Sequence, residues 1–235
     1  MIEGLPREVN AIFIITSAIT FGFIIYYLMQ SKELWKDPHK PMSVILILGT
    51  WLLIQAVLSF SGFYHNFESS PPRFLFVLAP PIIGIIYLFI NKASRAYIMG
   101  IPLNVLTYLH VIRIPVEIVL WWLFQNGLIP KLMTFEGRNY DIIAGITAPF
   151  IGYFLLSKKT KNRVGVLIWN FFTLGLLLNI VINAIISTPY PFQLQAFDQP
   201  NVAIFYFPFI WLPSFIVPIV LFCHLASILI ILKKR

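Results

Sequence analysis

LTYLHVIRIPVEIVLWWLFQ, residues 106–125, is a run of twenty residues in which Arg113 and Glu117 are the only charges and His110 stands one turn before them. Twenty residues of α-helix rise about 30 Å, the thickness of the hydrocarbon core of a bilayer. The run reads as a membrane-crossing helix, and its three ionisable side chains are its anomaly. Spacings of three and four put His110, Arg113 and Glu117 on one helical face, with Thr107 and Trp121 beside them. Arg113 and Glu117 fall near the middle of the run, where a lipid-facing charge costs about 2.5–3.5 kcal/mol on insertion scales. That face is therefore expected to turn toward the protein interior.

The rest of the chain fits this reading. Of 235 residues, 59% are hydrophobic and 11% charged, and mean hydropathy is +0.84. A soluble domain carries roughly 25% charged residues, so this composition implies an all-α integral membrane protein. Seven apolar runs are long enough to span: Asn10–Gln30, Met42–Phe63, Phe74–Asn91, Ile101–Gln125, Tyr140–Ser157, Val164–Ser187 and Phe207–Ile231. They are too continuous for barrel strands of about 10 alternating residues. The connections are short, which predicts a single seven-helix domain over residues 1–235. The net charge of +8 sits in clusters between spans rather than on a groove-binding face, which excludes a nucleic-acid partner. The lone Cys223 excludes an intrachain disulfide.

Orientation follows from lysine and arginine, which cytoplasmic loops retain. Lys32, Lys36, Lys40, Lys92, Arg95, Lys158, Lys159, Lys161, Arg163, Lys233, Lys234 and Arg235 fall on one side; Arg7, Arg73, Lys131 and Arg138 fall on the other. The expectation is an outside N-terminus and a cytoplasmic C-terminus, in the plasma (inner) membrane. Residues 1–10 carry Glu3, Arg7 and Glu8 in place of a basic leader, so the first run is read as a retained helix.

FLFVLAPPIIGIIYLF from Phe74 and FPFIWLPSFIVPIVLF from Phe207 agree at seven of sixteen positions: Phe74, Phe76, Pro80, Ile83, Ile86, Leu88 and Phe89. AITFGFIIYYL from Ala18 and GITAPFIGYFL from Gly145 also align without a gap. Two parallel triplets joined by a fourth helix, a 3+1+3 pseudo-repeat, would produce such matches. In topology and size this layout resembles that of microbial opsins and SWEET sugar transporters. Every lysine lies at a rim or in a loop, so a retinal Schiff base has no anchor, and no PQ-loop dipeptide is present.

Further polar groups could join the central charges. Gln55 lies within the second run, Thr147 within the fifth, and Asn170, Asn179 and Asn183 along the sixth; amides also glue membrane helices for roughly 0.6–2 kcal/mol. Pro80, Pro81, Pro115, Pro149, Pro213 and Pro218 fall inside spans, where bent helices suit a central cavity. His110 and His224 lie at similar depths, the arrangement a bis-histidine haem would need; isolated histidines are more often hydrogen-bonded core residues, and no metal signature accompanies them. At the outer rim His65 and Glu68, with Glu136 and Arg138, could form a vestibule, whereas Thr134, Asn139 and Asp141 suit the N-terminus of the fifth helix. The aromatic stretch from Thr188 to Phe207 reads as an interfacial segment over the outer mouth.

Three functions compete. The first is a bundle that binds or transports a small solute, with Arg113, Glu117, His110, Gln55, Asn179 and Asn183 as ligand-binding residues. The second is an intramembrane enzyme on a lipid or isoprenoid, with Glu117 as general acid; IPVEIVLWW resembles, with one acid in place of two, the PxEE segment of membrane lycopene cyclases. The third is a structural subunit in which Arg113 and Glu117 merely pair with each other. The expected partners are the bilayer and a small-molecule or lipid ligand.

Overall fold

The computed structural model describes residues 2–30, 39–157 and 162–233. It is all-helical: α1 Arg7–Gln30, α2 His39–Phe60, α3 Leu75–Ile90, α4 Lys92–Gly100, α5 Leu103–Leu109, α6 Arg113–Gln125, α7 Ile142–Phe150, α8 Arg163–Ile186 and α9 Val217–Lys233. Among the described residues five helices are long and apolar enough to cross a membrane: Arg7–Met29, Pro41–Phe60, Leu103–Gln125, Arg163–Ile186 and Leu212–Lys233.

The other two expected spans form shorter helices, and the first of them, Leu75–Ile90, makes a sixth crossing only when counted together with the bent Lys92–Gly100. Leu75–Ile90 rises only about 24 Å over its sixteen residues, and the chain then turns by 88° into α4. Asn91 makes that corner, ending α3 in extended conformation while its side-chain oxygen accepts from the Ser94 N–H at 3.0 Å. Residues 92–100, which connect two of the expected spans, are a helix. The fifth expected span is Ile142–Leu155, about 21 Å long. Of the basic residues that set the expected orientation, Lys32, Lys36, Lys158, Lys159, Lys161, Lys234 and Arg235 lie outside the described residues.

Proline shapes three of these segments. Pro115 cannot donate to Val111 and crowds its carbonyl, and the turn before it, His110–Ile112, tightens to 3-10 geometry between α5 and α6. Pro149 precedes a π-turn at Ile151–Leu155, and Pro213 lies within another at Leu212–Ile216. Gly127 ends α6 in left-handed conformation, φ 73°, with the Leu128 N–H reaching back to Leu123 at 3.0 Å.

One end of the molecule is tied by its loops. Gln199 Nε2 donates to the Phe124 and Ile129 carbonyls at 3.1 and 2.6 Å, and Ala203 N–H to Leu128 at 3.2 Å. Tyr64, Phe74, Tyr190 and Phe205 form an aromatic cluster there, and Phe13 of α1 meets Phe209 with ring centroids 5.3 Å apart. The aromatic stretch before α9 thus packs down as a cap, although Leu194 and Phe197 project outward. The main core runs beneath it, from Val9 and Phe13 through Val119 and Leu123 to Phe215, Val220 and Ile230.

Candidate functional site

Arg113 begins α6 just past the 3-10 turn and is 2% exposed. Its Nη1 lies 3.1 Å from Asp141 Oδ1, at the head of α7. The two helices come this close because position 145 is glycine: a Cβ there would stand 2.8 Å from Ile114 Cγ1 and 3.3 Å from Arg113 Cβ. Arg113 Nη2 meets His224 Nε2 at 3.0 Å, and His224 Nδ1 meets Asn170 Oδ1 at 3.0 Å. Arginine has no acceptor, so Nε2 must be the lone-pair nitrogen. His224 is then the neutral Nδ1–H tautomer, donating to Asn170, whose own amide donates to the Val166 carbonyl at 2.9 Å.

Glu117, one turn further along α6 and 2% exposed, is held by a different group. Asn139 Nδ2 donates to both carboxylate oxygens at 2.7 Å, and also approaches the Met133 carbonyl at 3.0 Å. Asn139 Oδ1 accepts the Asp141 N–H at 3.0 Å, which fixes which way the amide faces. Asn139 thereby places both carboxylates, one through its amide nitrogen and the other through the backbone.

Glu117 and Asp141 line a cavity of about 70 Å³, room for about two waters at roughly 30 Å³ each. The other walls are apolar: Phe74 just before α3, Leu78 of α3, Leu120 of α6, Val181 and Ala184 of α8, and Pro213 in the second π-turn. An apolar cavity lined by two buried acids suits a ligand with an apolar body and one polar group.

Residues 72–232 match the model of a family described as a domain of unknown function, DUF8737. The chain belongs to that family. The matched region runs from just before α3 into α9 and contains Arg113, Glu117, Asn139, Asp141, Asn170 and His224, whereas Gln55, His65 and Glu68 precede it. No curated protein and no solved structure matches the chain.

Of the residues singled out from sequence, the structure gathers Arg113, Glu117, His110, His224, Asn170, Asn139 and Asp141, and places Gln55, Asn179, Asn183 and the rim residues elsewhere. The mutual pairing of Arg113 and Glu117 that the structural-subunit reading required gives way to Arg113 with Asp141 and Glu117 with Asn139. Asp141 was expected to cap α7; it occupies the N-cap position without a side-chain capping bond, because its carboxylate turns to Arg113 instead. Gln55 accepts from Tyr64 Oη at 2.6 Å, beside the aromatic cluster. Asn179 donates to the Arg138 carbonyl at 2.9 Å and Asn183 Oδ1 accepts from Gln195 at 2.8 Å, so both amides anchor loops.

The rim residues also part company. His65 and Glu68 edge an open hollow of about 700 Å³ with Pro189, Tyr190 and Pro191. There burial lowers the His65 pKa, and its ring stacks on Tyr206 at 4.3 Å. Glu136 accepts from Trp121 Nε1 at 2.8 Å near the end of α6.

His110 and His224 do meet, as their equal depth suggested, but with ring centroids 4.1 Å apart and planes inclined at 31°. Stacked rings leave no space for a porphyrin between them, and His224 Nε2 is already aimed at a guanidinium, so this pair does not fit haem ligation. Both nitrogens of His110 are buried without a hydrogen-bond partner among the described residues, its ring wedged against Trp169 and His224.

Proposed function

We propose that this chain is a multi-pass membrane protein that binds a small apolar or amphiphilic ligand between α3, α6 and α8, with Glu117 and Asp141 holding its polar group. The carrying observation is the cavity itself: two buried carboxylates lining an otherwise apolar space. A strongly hydrated solute such as a sugar would leave its hydroxyls unpaired against Leu120, Val181 and Pro213. Arg113 turns Nη1 to Asp141 and Nη2 to His224 and is not among the lining residues, so it is not placed to clamp an anion there.

The proposed setting is seven membrane crossings in the plasma membrane, with the N-terminus outside and the C-terminus cytoplasmic. Alternating crossings would bring the 61–74, 126–141 and 187–211 connections to one face, and the hydrogen bonds and aromatic contacts among them support that arrangement. Single cysteines placed at Glu68 and at Arg95 test it: an impermeant thiol reagent applied to intact cells should label the first and spare the second.

Binding is tested by native mass spectrometry of protein released from detergent. The wild type should retain a lipid-like adduct that Ala184→Phe, which fills the cavity, does not. Equal adducts in both proteins would remove the proposal. A second reading has support of its own. Glu117 is bound by a neutral amide rather than by Arg113, which leaves its carboxyl available as an acid or base toward an isoprenoid or other lipid. Conversion of a bound lipid by the wild type, lost in Glu117→Gln while the adduct persists, would select catalysis over binding or transport.

A further inference from the structure

We infer that the group recognised at Glu117 and Asp141 is cationic: the ligand class is an amine or ammonium compound with an apolar tail that leaves the cavity between α3 and α8. This inference deepens the ligand-binding reading and rests on it.

The charge count comes first. Two carboxylates, Glu117 and Asp141, border the cavity, and a single guanidinium faces them. The neighbouring imidazoles do not supply a second cation. His224 accepts from Arg113 through Nε2 and donates through Nδ1, so its hydrogen bonds define a neutral ring, and a proton added at Nε2 would point at the guanidinium. His110 stacks on His224 and its ring nitrogens reach no carboxylate. One negative charge more than the protein's own cation can match is thus left at the cavity end whenever both acids are ionised.

The acceptors are also incompletely used. Asp141 Oδ1 lies 3.1 Å from Arg113 Nη1 yet receives no aligned hydrogen bond, although the residue is only 5% exposed. A buried carboxylate oxygen without a directed donor is destabilising, and a ligand N–H is the group that would complete it. Glu117 has Asn139 as its donor, a neutral one, so an ionised Glu117 has no cation of its own unless the ligand brings one. A cation is favoured there by both charge and hydrogen bonding, a neutral hydroxyl by hydrogen bonding alone, and an anion by neither.

The apolar walls set the rest of the ligand. About 70 Å³ holds a headgroup and the first few carbons at most. Phe74 just before α3 and Leu78 within it line the cavity together with Val181, Ala184 and Ile185 of α8, and the four residues other than Phe74 are only half-buried. A tail can therefore extend between these two helices toward the lipid.

Octylamine, octanol and octanoate share one tail and differ in head charge, so they separate head from tail. Thermal melts of the full chain in nanodiscs, titrated with each, read apparent affinity. The amine should act at a concentration at least tenfold below that of the alcohol, with octanoate weakest. Glu117→Gln should bring amine and alcohol within about threefold of each other, Asp141→Asn should do so in part, and Ala184→Phe should weaken all three. If alcohol and amine act equally on the wild type, or octanoate acts best, the cationic assignment is overturned while the pocket stands. If none of the three shifts the wild-type melt, pocket and assignment fall together. Should Glu117→Gln not fold, the wild-type ranking and Ala184→Phe still decide the matter.

Discussion

Replacing Arg113 by methionine removes the one cation of the central cluster while keeping most of the side-chain volume. Asp141 then loses its partner at 3.1 Å and His224 Nε2 loses its donor at 3.0 Å, both in the buried interior. Breaking a buried pair from one side costs about 3–5 kcal/mol, because the remaining charge stays desolvated. Asp141→Leu strands the guanidinium and should cost about the same. The two single penalties sum to about 6–10 kcal/mol. In the double variant neither member of the pair is left without the other, and exchange of a buried pair for apolar groups is close to neutral. What persists is the unsatisfied imidazole nitrogen of His224, about 1–3 kcal/mol. The coupling between the two positions is therefore at least about 3 kcal/mol. Unfolding in mixed micelles by titration with a denaturing detergent measures all four corners of the cycle. Additive penalties, with the double variant as unstable as the sum, would refute the pairing of Arg113 with Asp141.

The other positions give contrasts of sign as well as size. His110→Phe should be neutral or stabilising, since it removes two unpartnered ring nitrogens and preserves the edge-to-face contact with Trp169, whereas His224→Phe should cost about 1.5–3 kcal/mol by unpairing Arg113 Nη2; melting temperatures of the two variants check this. Gly145→Ala should destabilise by about 1–3 kcal/mol, because its Cβ meets Ile114 and Arg113 at 2.8–3.3 Å, and Gly152→Ala by less, because the Tyr108 ring it meets can swing aside. Asn139→Leu should cost about 2–4 kcal/mol by removing the donor to Glu117 and the acceptor for the Asp141 N–H, while Asn179→Leu, at an exposed loop contact, should stay within about 1 kcal/mol.

The path from sequence to this site is uneven, and its gaps have physical causes. Residues 106–125 declare a buried polar face because charges in an apolar run have nowhere else to go, and His110, Arg113 and Glu117 do cluster inside. The partners were hidden. Asp141 and Asn139 sit before an apolar run, where local chemistry reads as capping, and only the close approach at Gly145 carries Asp141 across to Arg113. Asn179 and Asn183 illustrate the reverse: their spacing of four gives them a common face, but that face meets loops at the rim. All seven apolar runs became helices, and two of them are shorter than the runs that announced them. The third run loses Phe74 and Asn91, which flank α3 as its caps, and the fifth loses Tyr140 and Asp141 ahead of α7 and Leu156 and Ser157 after the π-turn. Pro115, Pro149 and Pro213 signalled irregular turns correctly, and only the turn containing Pro213 borders the cavity.

The most direct test of the ligand chamber is an electron cryo-microscopy map of the protein in native-lipid nanodiscs. The account predicts an elongated density that begins within hydrogen-bonding distance of Glu117 and Asp141 and leaves between α3 and α8. Side chains closed over that volume, with Leu120, Val181 and Ala184 in mutual contact and nothing between them, would contradict it.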